Sequence, residues 1–207
     1  MGMALITHLF TSLVYRAELA ARVSSLVGDV RAAALAIAAE DRAGQAWSRA
    51  QGYRGYTSYA SLNDLPRRSP EMADLARHLD GHVRRFAGEL DLDLGRRRLQ
   101  LDSLWINILE PGGHHAAHIH PNAVVSGTFY VDVPRGASAI RFEDPRLALM
   151  MAAPPRKASA RRWNRTFVEV APKPGTLLLW ESWLRHEVLE NRARRARVSV
   201  SFNFRWD

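Results

Sequence analysis

Cysteine is absent from all 207 residues of this chain. Its absence excludes a disulfide framework, a thiolate-ligated zinc finger and a thiolate nucleophile, and leaves imidazole, carboxylate and carbonyl oxygen as metal ligands. It also leaves the redox compartment undetermined. No window approaches the roughly 20 consecutive apolar residues of a membrane span. The opening MGMALITHLFTSLVYRAELA lacks the basic n-region, long apolar h-region and cleavage site of a secretory signal, so the expectation is a cytoplasmic protein with no membrane attachment. Negative charge is in deficit: 29 Lys and Arg against 21 Asp and Glu give a formal net charge of +8. Such a surface suits nucleic acid, an acidic partner or an anionic small molecule. No specific nucleic-acid motif accompanies the charge, and the strand aromatics lack a stacking platform flanked by basic residues.

What is present suffices for one domain spanning 1–207, with hydrophobic residues at 47%. Residues 1–95 read as a helical N-terminal flank. Ala17 to Ala43 is rich in Ala and Leu, with Gly28 as the expected break between two helical segments. An aromatic and polar loop follows from Trp47 to Pro70. Its end is the clearest helix start in the chain, with Ser69 as N-cap, Pro70 at the first helical position and Glu71 in the first turn. Met72, Leu75, Leu79, Val83, Phe86 and Leu90 then recur at helical steps and define a core-facing stripe. His78 and His82 on this helix read as surface or structural histidines.

Residues 96–207 change texture. LQLDSLWINILE, VVSGTFYVDV, AIRFED, TFVEVAP, GTLLLW and RVSVSFNFRW are short runs rich in β-formers, divided by the turn signals EPGG, VPRG, PKPG and ENRAR. A mainly β jelly roll, with the N-terminal helices packed on it, is the expected architecture. One connection is too long for a hairpin: residues 145–165, rich in Arg, Pro and Met, read as a substrate-facing cap or a disordered loop.

Four of the eight histidines crowd into HHAAHIHPN, residues 114–122. A histidine-rich tract alone specifies no geometry. His118 and His120, however, sit two apart on an extended stretch, so both side chains point to one face. His186, in WESWLRHEV, offers a distant third imidazole. Two ligands on one strand and a third from another can build a facial site with open positions for substrate and oxygen. On the last run, alternation sets Arg197, Ser199 and Ser201 on one face and Val198, Val200 and Phe202 on the other. An inward guanidinium requires an anionic partner, and a carboxylate held bidentately by Arg197 with Ser199 beside it would supply one. His114 and His115 follow a Gly-Gly turn and read as rim residues or substrate contacts.

HIHPNAVVSGTFYV, PKPGTLLLWESWLRHEV and RVSVSFNF, in that order, resemble the 2-oxoglutarate and Fe(II)-dependent oxygenases that carry an H-x-H-P and S-G motif. The resemblance covers about residues 100 to 207, with weaker likeness in LFTSLVY and GYRGYTS. It implies a double-stranded β-helix core, with Fe(II) held by His118, His120 and His186. It further implies 2-oxoglutarate chelated to the metal with its distal carboxylate on Arg197 and Ser199, O2 as oxidant, and Asn107, Tyr130 and Asn203 as weaker co-substrate contacts. The reaction it implies is hydroxylation of an unactivated C–H bond in a small-molecule or peptidyl substrate. The basic 145–165 segment points to an anionic one. His120 departs from the wider superfamily, where Asp or Glu stands. That departure keeps open a three-histidine cupin-type dioxygenase or isomerase without 2-oxoglutarate, alongside a basic binding module; a homodimer is also left open.

Overall fold

The computed structural model describes residues 4–19 and 25–206. Ten strands form two antiparallel sheets: β1 (Val14–Glu18), β2 (Gly55–Thr57), β3 (Leu99–Leu109), β4 (His115–His118), β5 (Val125–Asp132), β6 (Ile140–Glu143), β7 (Phe167–Val170), β8 (Thr176–Glu181), β9 (His186–Val188) and β10 (Arg197–Trp206). The larger sheet has the order β1-β8-β5-β10-β3-β2 and the smaller β4-β9-β6-β7. From β3 to β6 and again from β7 to β10, each strand lies in the opposite sheet from the one before. This alternation winds the chain around a shared interior, the double-stranded β-helix expected from the sequence. Residues 145–165 interrupt the β6–β7 hairpin as an exposed stretch with two short 3-10 turns.

Three helices flank this core: α1 (Leu26–Glu40), α2 (Arg42–Ala50) and α3 (Pro70–Glu89). Ser69 caps α3, its hydroxyl accepting from the Met72 amide at 3.3 Å. The stripe of α3, Met72, Leu75, Leu79, Val83 and Phe86, is buried with Leu26, Val30 and Ala34 of α1. Both helices pack on the outer face of the large sheet, against Ile106, Phe129, Leu177, Leu179, Val200 and Phe202. Burial of each large side chain contributes roughly 1.5–3 kcal/mol. The inner faces form a second cluster with Tyr130, Phe142, Leu178 and Trp180. Consecutive residues of β8 therefore serve two cores, which explains its unbroken apolar run.

Three sequence expectations are corrected. Val14–Glu18, expected in part as helix, is an edge strand paired to β8; pairing with a sheet edge outweighs the helix propensity of Ala17 and its neighbours. Residues 20–24 of that expected helix lie outside the described residues. Gly28 does not break the helix but lies inside α1. The break is at Asp41, whose carboxylate accepts from the Gly44 amide at 2.9 Å and from the Tyr56 hydroxyl at 2.8 Å. The expected 47–70 loop contains the end of α2 and strand β2, which pairs with β3.

Candidate metal centre

His118 and His186 face each other across the β4–β9 pair, and the His120 amide donates to the Ser182 carbonyl at 3.0 Å, holding the extended run beyond β4. The ligating nitrogens of His118, His120 and His186 all lie within 4.8 Å of one another. His118 Nδ1 donates to the Ala116 carbonyl at 2.7 Å and His186 Nδ1 to the Leu184 carbonyl at 2.9 Å. A carbonyl can only accept, so these bonds fix the tautomer and leave each Nε2 with its lone pair free. His186 Nε2 stands 3.3 Å from His120 Nε2. Two nitrogens bound 2.0–2.1 Å from one ion at octahedral or tetrahedral angles would be roughly 2.8–3.4 Å apart. Burial, reinforced by the neighbouring His118 ring, pulls His186 down to about 3 and His120 down to about 4. Both imidazoles are therefore neutral near pH 7, as metal binding requires. The donor set fits a divalent ion.

The triad lies in a cavity of about 310 Å³ between the sheets, which Arg197, Asn107, Tyr130, Asn203 and Ser201 also line. Arg197 is only 2% exposed. Its Nη1 donates to the Ser138 carbonyl at 3.1 Å, while its Nε has no partner among the described residues. Its guanidinium stands 5.3 Å over the face of Tyr130. Among the described residues, no carboxylate lines the cavity. A buried guanidinium with a free donor and no acid beside it fits an incoming carboxylate.

Asn107 and Asn203 sit in a polar ladder along the inner face of the large sheet. Asn107 accepts from Thr57 at 3.0 Å and donates to Ser201 at 3.0 Å; Asn203 accepts from Ser126 at 2.8 Å and donates to Ser103 at 3.3 Å. Ser199 is buried on the same face, opposite Asn107 and Tyr130, but does not line the cavity. No residue of 145–165 lines it either. Two polar groups there escaped sequence reasoning as a pair: Tyr53, and His115, whose Nε2 lies 2.6 Å from the Tyr53 hydroxyl. His115 and His118 are three steps apart, which by simple alternation sets them on opposite faces. A bulge corrects the parity, since those three steps on β4 span only two on β9. The GYRGYTS segment held the only hint of Tyr53.

The two-sheet architecture is that of a double-stranded β-helix, and its three inner histidines could hold a metal ion. Residues 103–203 match the family model described as "Putative 2OG-Fe(II) oxygenase". No curated protein matches the chain. Among solved structures, a prolyl-4-hydroxylase from Pseudomonas putida shares 18% identity at a TM-score of 0.62, covering 94% of each chain. The epimerase SnoN from nogalamycin biosynthesis, in complex with Fe3+, alpha ketoglutarate and nogalamycin RO, shares 16% identity at 0.62, covering 94% of this chain and 79% of its own. EctD from S. alaskensis, with 2-oxoglutarate and 5-hydroxyectoine, shares 16% identity at 0.61, covering 94% and 72%. At these identities the structures establish the fold. The match over residues 103–203 and the shared fold support assignment of the β core to the 2OG-Fe(II) oxygenase superfamily.

Proposed function

We propose that this protein is a non-haem Fe(II) and 2-oxoglutarate-dependent dioxygenase that hydroxylates an unactivated C–H bond of a small-molecule or peptidyl substrate. One observation carries the reading: a three-imidazole donor set shares a cavity with a buried, anion-less arginine. His118, His120 and His186 would hold the metal through Nε2, and Arg197 would hold the distal carboxylate of the co-substrate. When bound, iron and 2-oxoglutarate supply the O2-activating oxidation; the protein supplies binding, orientation and a cavity that limits water. Backbone carbonyls fix the rings of His118 and His186. Trp105 lies against His120, with ring centroids 5.9 Å apart, and Trp180 lies 4.7 Å from His186, so apolar walls flank the ligands.

The mouth is aromatic and partly exposed, with Trp47, Tyr59 and Ile119 at its rim. Among the described residues Arg197 is the only one lining the cavity with a permanent charge, so the reacting portion of the substrate is uncharged. The basic 145–165 segment would meet only portions lying outside the cavity. Its role in binding an anionic substrate is tested by neutralising Arg156, Lys157 and Arg161; unchanged turnover removes it.

The deciding experiment is an anaerobic titration of metal-free protein with Fe(II) and then 2-oxoglutarate, in wild type and His186→Ala. A weak visible charge-transfer band that is present in wild type and lost in the variant is expected. Metal binding without a band would favour a three-histidine dioxygenase that needs no co-substrate, a reading for which His120 speaks. No metal binding would refute both.

A further inference from the structure

We propose that Tyr53, positioned by His115, forms the second half of a clamp on the distal carboxylate of the co-substrate, facing Arg197; the proposal rests on the 2-oxoglutarate reading of the cavity. Strand register locates the pair. On the large sheet, Gly55, Leu109 and Arg197 stand opposite one another across β2, β3 and β10, and Tyr53 lies two residues ahead of Gly55. On the small sheet, His115, Val188 and Ile140 stand opposite one another across β4, β9 and β6, two residues from the Ser138 carbonyl that takes the Arg197 hydrogen bond. The corresponding row at the metal is His118, His186 and Phe142. The Tyr53–His115 hydrogen bond of 2.6 Å therefore bridges the two sheets at the level of Arg197, not at the metal.

The chemistry of the pair suits an anion. Burial pushes the Tyr53 phenol well above its ordinary value and pulls His115 down to about 3, so the phenol keeps its proton and the imidazole is neutral. In the clamp, His115 is the Nε2–H tautomer and donates to the Tyr53 oxygen, which turns the phenolic proton toward the carboxylate. A carboxylate offers acceptor sites on both of its oxygens, and a guanidinium engaging it from one side leaves sites for a donor from the opposite side. Ser199, the hydroxyl suggested by the R-x-S pattern, does not line the cavity, whereas Tyr53 does. Tyr130 meets the guanidinium with its ring face. Tyr53 thus supplies the hydroxyl donor that the sequence pattern assigned to the last strand, and it does so from outside the jelly roll.

The test uses the Fe(II)-loaded full chain under anaerobic conditions, titrated with 2-oxoglutarate and separately with 2-oxovalerate, in which a methyl replaces the distal carboxylate. Tyr53→Phe should raise the Kd for 2-oxoglutarate about tenfold, the scale of one hydrogen bond to a charged group. It should leave Fe(II) affinity and the Kd for 2-oxovalerate unchanged. His115→Leu should raise the Kd for 2-oxoglutarate less, and the double variant should bind no worse than Tyr53→Phe, because His115 acts through Tyr53. A Kd for 2-oxoglutarate within about twofold of wild type in Tyr53→Phe, or equal losses for both keto acids, overturns the clamp. In either case a wild-type chelate leaves the co-substrate reading standing. If wild type forms no chelate, both fall.

Discussion

Replacing Arg197 with methionine should move stability and co-substrate affinity in opposite directions. In the ligand-free protein this guanidinium is 2% exposed, hydrogen-bonded to the Ser138 carbonyl, unpartnered at Nε and without an ion pair. A buried polar group without a partner costs about 1–3 kcal/mol, and an unpaired buried charge costs more. Loss of the buried Tyr130 cation–π contact offsets about 2 kcal/mol of the gain from removing it. The net expectation for ligand-free Arg197→Met is a gain of about 1 kcal/mol, or roughly 2–4 °C in Tm for a chain of this size. With 2-oxoglutarate the sign reverses. Losing one partner of a buried charge pair costs about 2–5 kcal/mol, so Kd should rise at least about thirtyfold, with Fe(II) binding intact. Thermal melts of the Fe(II) protein, with and without saturating 2-oxoglutarate, read both effects at once. If Arg197→Met melts well below wild type without ligand and keeps its 2-oxoglutarate shift, Arg197 is a structural residue and the co-substrate reading loses its main support.

Two further outcomes follow from the same geometry. His186 is 4% exposed and pulled down to about 3, so the unfolded chain takes up a proton near pH 6.5 that the metal-free fold refuses. Its stabilising contribution is complete above about pH 6.5 and is lost as pH falls toward 3, reaching roughly 2 kcal/mol of loss by pH 5; urea melts of metal-free protein at pH 7 and 5 that coincide would contradict the burial of this imidazole. At Gly127 an added Cβ would lie 2.4 Å from the Phe202 ring and 2.7 Å from the Leu178 carbonyl oxygen, so Gly127→Ala should destabilise by about 1–3 kcal/mol, and an unchanged denaturation midpoint would show that the β5–β10 spacing is looser than described.

The same glycine shows why some of the site was readable. In the S-G motif, Ser126 bonds both Ser182 and Asn203 at 2.8 Å, tying β5 to the stretch after β8 and to β10. Gly127 makes room for Phe202, so a two-letter pattern encodes a three-strand junction. The i, i+2 spacing of His118 and His120, and the alternation of β10, depend only on local strand geometry and were likewise legible. β1 and β2 were not, because VYRAE and GYT become strands through distant partners at the sheet edges. His115 was read as a rim residue or substrate contact, but its pairing with Tyr53 was hidden for two separate physical reasons: tertiary pairing brings Tyr53 to the cavity, and a bulge reverses the facing of His115. Spacing rules see neither event.

Charge gives the triad and the arginine a joint meaning. With three neutral imidazoles and no lining carboxylate, a divalent ion keeps its full double charge, and Arg197 adds one more in the same buried space. Held in low dielectric, that charge disfavours occupancy by metal alone and favours it with a dianion. A carboxylate ligand in place of His120 would relieve part of this before any co-substrate arrived; imidazole defers the whole relief to the co-substrate. On the proposed 2-oxoglutarate reading, metal and dianion binding are expected to be coupled. By linkage, each should tighten the other by the same factor, so the histidine that departs from the superfamily pattern also makes the empty cavity ill-suited to hold reactive iron alone.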